Sequence, residues 1–152
     1  MNTTIISKLK IESPAFPDNG YLPSKYTCDG ENISPPLTVG DLPKETKSLA
    51  IIMEDTDASD GTFDHWVVWN IDPKPNIPEN MKGGLQGKNG NQKTGYYGPC
   101  PPTGVHHYFF KIYALDKFLD LEKGVDKRML LRTMHNHIIA GGEIVGLYLK
   151  KV

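Results

Sequence analysis

A chain of 152 residues, 38% hydrophobic and 23% charged, matches ordinary globular usage and is long enough to close one core, so a single domain over residues 1–152 is expected. Its 17 basic and 18 acidic side chains give a formal net charge of -1 without any Lys/Arg block, which leaves no electrostatic footprint for nucleic acid or an anionic membrane surface. No apolar run approaches the roughly 20 residues of a membrane helix, and MNTTIISKLKIESPAF has no apolar stretch of signal-peptide length, so no membrane insertion and a cytoplasmic location are expected.

Residues 5–11 read as a weak strand. Cys28 and Cys100 are too few and too far apart for a disulfide framework or a thiolate zinc site. They read as free thiols in a reducing compartment, with a local bridge as the alternative because both stand in loop-like sequence. Residues 48–54 (SLAIIME), 65–71 (HWVVWNI) and 108–115 (YFFKIYAL) read as strands, rich in β-branched and aromatic residues and bounded by Asp, Gly or Pro. Their near-continuous apolarity predicts burial on both faces.

Between the last two lie residues 73–105, with six prolines, seven glycines and no helical or strand period. A segment that long without structure in a compact domain is functional or disordered. Its glycine-rich part, KGGLQGKNGNQKTG, reads as mobile, whereas the PCPP near its end is stiffened by proline and reads as ordered. A helix is predicted over residues 127–139. Asp126 is its N-cap, Val125 staples against Leu130, Leu130, Met134 and Ile138 form the apolar stripe, and Gly141 and Gly142 are the stop. Residues 143–150 read as a second weak strand, with Gly146 marking a bulge. Without repeated strand–helix alternation, the pattern favours a mainly β, antiparallel β-sandwich.

Strand parity then gathers polar groups. His65 falls on the face of Val67, Trp69 and Ile71, and His106 on that of Tyr108, Phe110, Ile112 and Ala114. The strand of residues 48–54 ends in the acidic cluster Glu54 to Asp57. Antiparallel pairing with its successor puts Asp55, Asp57 and His65 at one sheet edge. If the strand following His106 runs in the sense of the His65 strand, that histidine reaches the same edge. The loop YYGPCPPTGVHHY then supplies a rigid wall. The result is a pocket of two imidazoles, one or two carboxylates and a proline-glycine rim.

SPAFPDNGYLPSKYTCDGENISPPL, EDTDAS, FDHWVVWNI and GPCPPTGVHHYFFKIYALD, in this order and at these spacings, resemble the phosphatidylethanolamine-binding protein family, in its bacterial and archaeal Raf-kinase-inhibitor-like branch. The resemblance runs from about Ser13 to Val152. It implies a Greek-key sandwich with one or two short peripheral helices and a small preformed pocket for phosphate or phosphoryl head groups. Carried over residue by residue, it puts the pocket's ligand-binding groups at Asp55, Asp57, His65, Gly98, Pro99, Cys100 and His106. Where the family has Asp-Pro-Asp-Ala-Pro, this chain has Asp55-Thr56-Asp57-Ala58-Ser59, and where it has His-Arg-Tyr, this chain has His106-His107-Tyr108. The second change removes an arginine partner for the aspartates. The lid helix at the carboxyl end of the family's eukaryotic members has no counterpart after Lys150.

The resulting expectation is a non-catalytic binding protein without cofactor or metal, taking a small anion such as phosphate or a phosphoethanolamine-like group. The resemblance adds modulation of kinases or proteases through partner binding, and a homodimer like those of prokaryotic relatives. In this reading Asp55 orients His65 or receives a ligand ammonium or hydroxyl. The alternative is a metal-assisted or thiol-dependent hydrolase using the same Asp/His/His pocket, with Cys100 as the thiol. No GxSxG or HExxH pattern supports it.

Overall fold

The hydrophobic runs SLAIIME and HWVVWNI lie side by side in the computed structural model, which describes residues 6–150. They form the centre of the larger of two sheets. Its long strands are β5 (Ser48–Ala58), β6 (Gly61–Ile71), β9 (Val105–Leu115) and β10 (Ile138–Leu149). Short strands β1 (Ser7–Lys8), β3 (Gly20–Tyr21) and β8 (Leu85–Gln86) complete it, in the order β1-β10-β9-β5-β6-β8 with β3 also on β10. A second sheet is built from β2 (Lys10–Glu12), β4 (Leu37–Gly40) and β7 (Asn76–Ile77), in the order β2-β4-β7.

The long ladders are antiparallel, as expected, but β1 and β3 pair with β10 in parallel, so the larger sheet is mixed. Ile11, Leu37, Val39 and Ile77 of the small sheet share one core with Leu49, Ile51, Met53, Trp66, Phe110 and Ile112 of the large one. The other face of the large sheet is covered by α1 (Lys127–Met134), whose Leu130 and Met134 pack with Ala50, Ile52, Val67 and Trp69. Both faces of β5 and β6 are therefore buried, which accounts for their unbroken apolarity.

Three local readings change. The helix stops at Met134 rather than at residue 139, because Asn136 adopts φ 71° and His137 N–H donates back to the Met134 carbonyl. Ile138 and Ile139 are β-branched and start β10, so Gly141 and Gly142 lie inside a strand opposite Tyr113 and Ile112. The close approach of another chain segment explains Gly142: a Cβ there would stand 2.4 Å from the Leu9 carbonyl oxygen. Gly146 pairs in register with Tyr108, and the irregularity of β10 lies instead between Ile138 and Ala140. The predicted N-cap stands, since the Asp126 carboxylate accepts from Met129 N–H at 3.0 Å.

The segment read as mobile is tied down. Asn89 accepts from Asn91 N–H and donates to the Gly95 carbonyl, while Gly87 lies against Trp69 and the Val125 carbonyl. The cysteines are also corrected: Cys28 and Cys100 form a disulfide, with Cα atoms 5.5 Å apart. Their two loops meet because Gly98 presses into the 26–32 segment, where a Cβ would lie 2.2 Å from Asn32 Oδ1 and 2.5 Å from the Tyr26 carbonyl oxygen. Cys28 N–H donates to the Pro99 carbonyl beside the bridge. No helix among the described residues is long and apolar enough to cross a membrane.

Candidate functional site

The strand order delivers the predicted juxtaposition. β6 and β9 both run antiparallel to β5, so His65 near the start of β6 and His106 near the start of β9 flank the end of β5. Asp55 stands opposite Phe63 on one side and Tyr108 on the other. Parity alone, however, assigns His65 to the wrong face. Met53 pairs with Trp66 and Glu54 with Asp64, so His65 is an extra residue in β6 with no partner of its own in β5. That irregularity turns its ring away from Val67 and Trp69 and toward Tyr108, 5.2 Å away edge-on. A second shift at Asn70, which adopts φ 56°, moves Ile71 to the same face as Trp66 and Val68.

Asp55, His65, Cys100 and His106 line one cavity of about 180 Å³. Phe63, Tyr97 and Tyr108 contribute its rings, and Pro101 and Pro102 its stiff wall. The volume is below the roughly 300–1,000 Å³ of drug-sized pockets and suits a compact head group. Asp57, Gly98 and Pro99 do not line it. Gly98 N–H donates to Asn32 Oδ1, and Pro99 supports the disulfide through its carbonyl, so both build the wall from behind. Asp57 sits exposed at the rim, where its carboxylate accepts from His107 Nδ1 at 2.7 Å and from His107 N–H at 2.8 Å. His107 thus supplies the partner that the absent arginine would have given, and those hydrogen bonds hold the Asp57 carboxyl below its usual range.

Each imidazole is oriented through Nδ1. The Tyr97 carbonyl accepts from His65 Nδ1 at 2.6 Å, which fixes the proton on Nδ1. Asp55 Oδ2 lies 2.7 Å from His106 Nδ1, while Asp55 Oδ1 accepts from Asp57 N–H. Asp55 therefore orients His106 and not His65, because the extra residue in β6 swings His65 to the Tyr97 side. Burial lowers the His65 pKa, opposed by the Tyr97 hydrogen bond, so its ring is neutral in the unliganded pocket at neutral pH. The ring of Tyr97 stacks on it at 5.5 Å with 8° between planes.

Tyr108 is fully buried, and its hydroxyl has no hydrogen-bond partner although its ring lines the cavity. Burial first, and the nearby Asp55 charge second, push this phenol far above its usual pKa, so it is purely a donor or neutral acceptor. The sequence did place Tyr108 on the His106 face but gave it no role. Tyr97 carried no local signal, since it acts through a backbone carbonyl.

The family profile described as phosphatidylethanolamine-binding protein matches residues 12–149. The chain belongs to the phosphatidylethanolamine-binding protein family. A UPF0098 protein of Methanothermobacter thermautotrophicus is 47% identical over 148 residues, covering 92% of this chain and 98% of the relative. Among solved structures, a phosphatidylethanolamine-binding protein homologue from Chlamydia trachomatis superimposes with a TM-score of 0.91 at 42% identity, over 95% of this chain and 99% of that one. Escherichia coli YbcL gives 0.85 at 28% identity, over 95% and 100%. Bacterial and archaeal members of the family are thus similar to this chain along nearly its whole length.

The hydrolase alternative loses its thiol, because Cys100 is bridged and does not titrate. Among the described residues, no group of three or more His, Cys, Asp or Glu side chains could hold a metal ion.

Proposed function

We propose that this family member is a binding protein for a small anion, phosphate or a phosphoryl or carboxylate head group, held in the Asp55/His65/His106 pocket. The carrying observation is that both Nδ1 atoms are engaged, His65 by the Tyr97 carbonyl and His106 by Asp55, which leaves the two Nε2 atoms to meet a ligand in a ring-lined cavity. A neutral imidazole protonated on Nδ1 presents a lone pair at Nε2. It donates to an anion only after taking up a proton there. Anion binding at His65, whose ring burial keeps neutral, is therefore coupled to proton uptake, while Asp55 holds the His106 ring in place through Nδ1. Where the anion is attached to a partner protein, the same pocket provides the contact through which kinases or proteases would be modulated, as the family resemblance implies.

Isothermal titration with phosphate and with phosphoethanolamine at pH 6 and pH 8 tests this reading. Tighter binding at pH 6, abolished in a His65→Ala, His106→Ala double variant, is expected. Binding unchanged in that variant would reject the site.

A further inference from the structure

The face of the sheet opposite the pocket carries a charge cluster that helix packing alone does not explain. The register shift that makes His65 an extra residue also sets Glu54 directly opposite Asp64 across β5 and β6. Two carboxylates opposed in this way destabilise a strand pair. Glu54 is only 8% exposed, so water screens this repulsion poorly. Lys127 Nζ stands 2.7 Å from Glu54 Oε2 and 2.7 Å from Asp64 Oδ1, and Lys111 Nζ stands 2.7 Å from Glu54 Oε1. Lys127 is thus the cation touching both strands. Its ammonium group pairs with the buried Asp64 Oδ1 at 2.7 Å, which leaves that oxygen dependent on the lysine.

Lys127 is the first residue of α1, where a cation opposes the helix dipole, so helix formation gives no reason for it. Leu130 and Met134 anchor the helix in the core beneath the sheet and hold the ammonium group in place. In the alternative pairing without the extra residue, alternation would turn His65 to the α1 side with Val67 and Trp69.

We infer that Lys127 is a positioning residue for the pocket: by neutralising Glu54 and Asp64 behind the sheet, it holds the β5–β6 register shift that delivers His65 to the cavity. Its consequence for ligand affinity rests on the anion-pocket reading above; its consequence for the His65 ring does not.

Two readouts separate them. Nuclear Overhauser contacts between the stacked His65 and Tyr97 rings report the ring position, and phosphate titration reports affinity. Lys127→Met keeps the aliphatic stem and removes the charge. It should fold, lose the His65–Tyr97 contacts and bind phosphate roughly tenfold or more weakly. Lys127→Arg should restore both, and combining Asp64→Asn with Lys127→Met should recover part of the ring contact, because one opposed carboxylate is gone. Intact His65–Tyr97 contacts in Lys127→Met would overturn the inference. Should that variant not fold, Lys127→Gln carries the same test, and failure of both to fold would place the lysine in global stability alone. Wild-type protein that binds no phosphate would sink the pocket reading while the ring contacts still decide the role of Lys127.

Discussion

Two side chains in the pocket couple ligand binding to fold stability. His65 is buried with its pKa lowered, so the folded chain binds fewer protons than the unfolded one once pH falls below the unfolded value near 6.5. Its contribution to stability is complete above that pH and is lost as pH falls through the folded pKa. Melting temperature of the unliganded protein should therefore drop on acidification from about pH 6.5. Phosphate should oppose the drop, raising the melting temperature more at pH 6 than at pH 8, and His65→Gln should flatten both dependences. A phosphate effect independent of pH would contradict proton-coupled binding. Tyr108→Phe gives a sharper contrast. Its hydroxyl is buried without a partner, so removing it relieves a desolvation penalty of about 1 kcal/mol or more. The variant should be as stable as wild type or more so in denaturant unfolding, yet bind phosphate more weakly. A variant both less stable and unaltered in affinity would show that the hydroxyl faces no ligand.

Elements differ in how far the sequence specifies them. β9 keeps the two-residue alternation that sets His106 on the face of Tyr108 and Phe110, and the apolar run of β5 ends where its acidic cluster begins, so the positions of Asp55 and His106 were legible. β6 does not keep the alternation, because the extra residues at His65 and Asn70 are set by pairing and by opposing charges, neither of which leaves a periodic trace. The juxtaposition of His65, His106 and Asp55 was legible although the parity assigned to His65 was reversed, because strand order, rather than face, brings the two strand starts together. The start of α1 was legible through its capping residue. Its end was not, since Asn136 in the left-handed conformation competes with the Gly-Gly pair that looks like a stop. The cap is testable in isolation. Asp126→Ala should cost about 1 kcal/mol by denaturant unfolding, while leaving the pocket-face contacts of His65 in place so long as Lys127 stays on the sheet. Loss of those contacts would mean that the helix start and the clamp move as one.

At the scale of the molecule, the mainly β architecture followed from composition and strand spacing, while the tie between distant loops did not. The Cys28–Cys100 bridge joins residues 72 apart in sequence and encloses β4 to β8, both strands of the acidic hairpin among them. In the chain-entropy treatment, closing a loop of that length removes denatured-state freedom equivalent to roughly 4 kcal/mol, a large share of a domain's ordinary stability. The same bond forms part of the cavity, because Cys100 is a lining residue. Three hydrogen bonds run beside it: Gly98 N–H to Asn32 Oδ1, Cys28 N–H to the Pro99 carbonyl, and Tyr96 hydroxyl to the Tyr26 carbonyl. They secure the folded wall but do nothing for the unfolded chain. A Cys28→Ser, Cys100→Ser double variant should therefore lose several kcal/mol, approaching roughly 4, in denaturant unfolding. Its phosphate affinity should stay within about threefold of wild type at temperatures where it is folded, since the local hydrogen bonds keep the wall in place. Wild-type protein treated with a dithiol reductant should behave likewise. A loss of affinity much larger than threefold, with the fold intact, would show that the covalent tie rather than the hydrogen-bonded loop shapes the pocket.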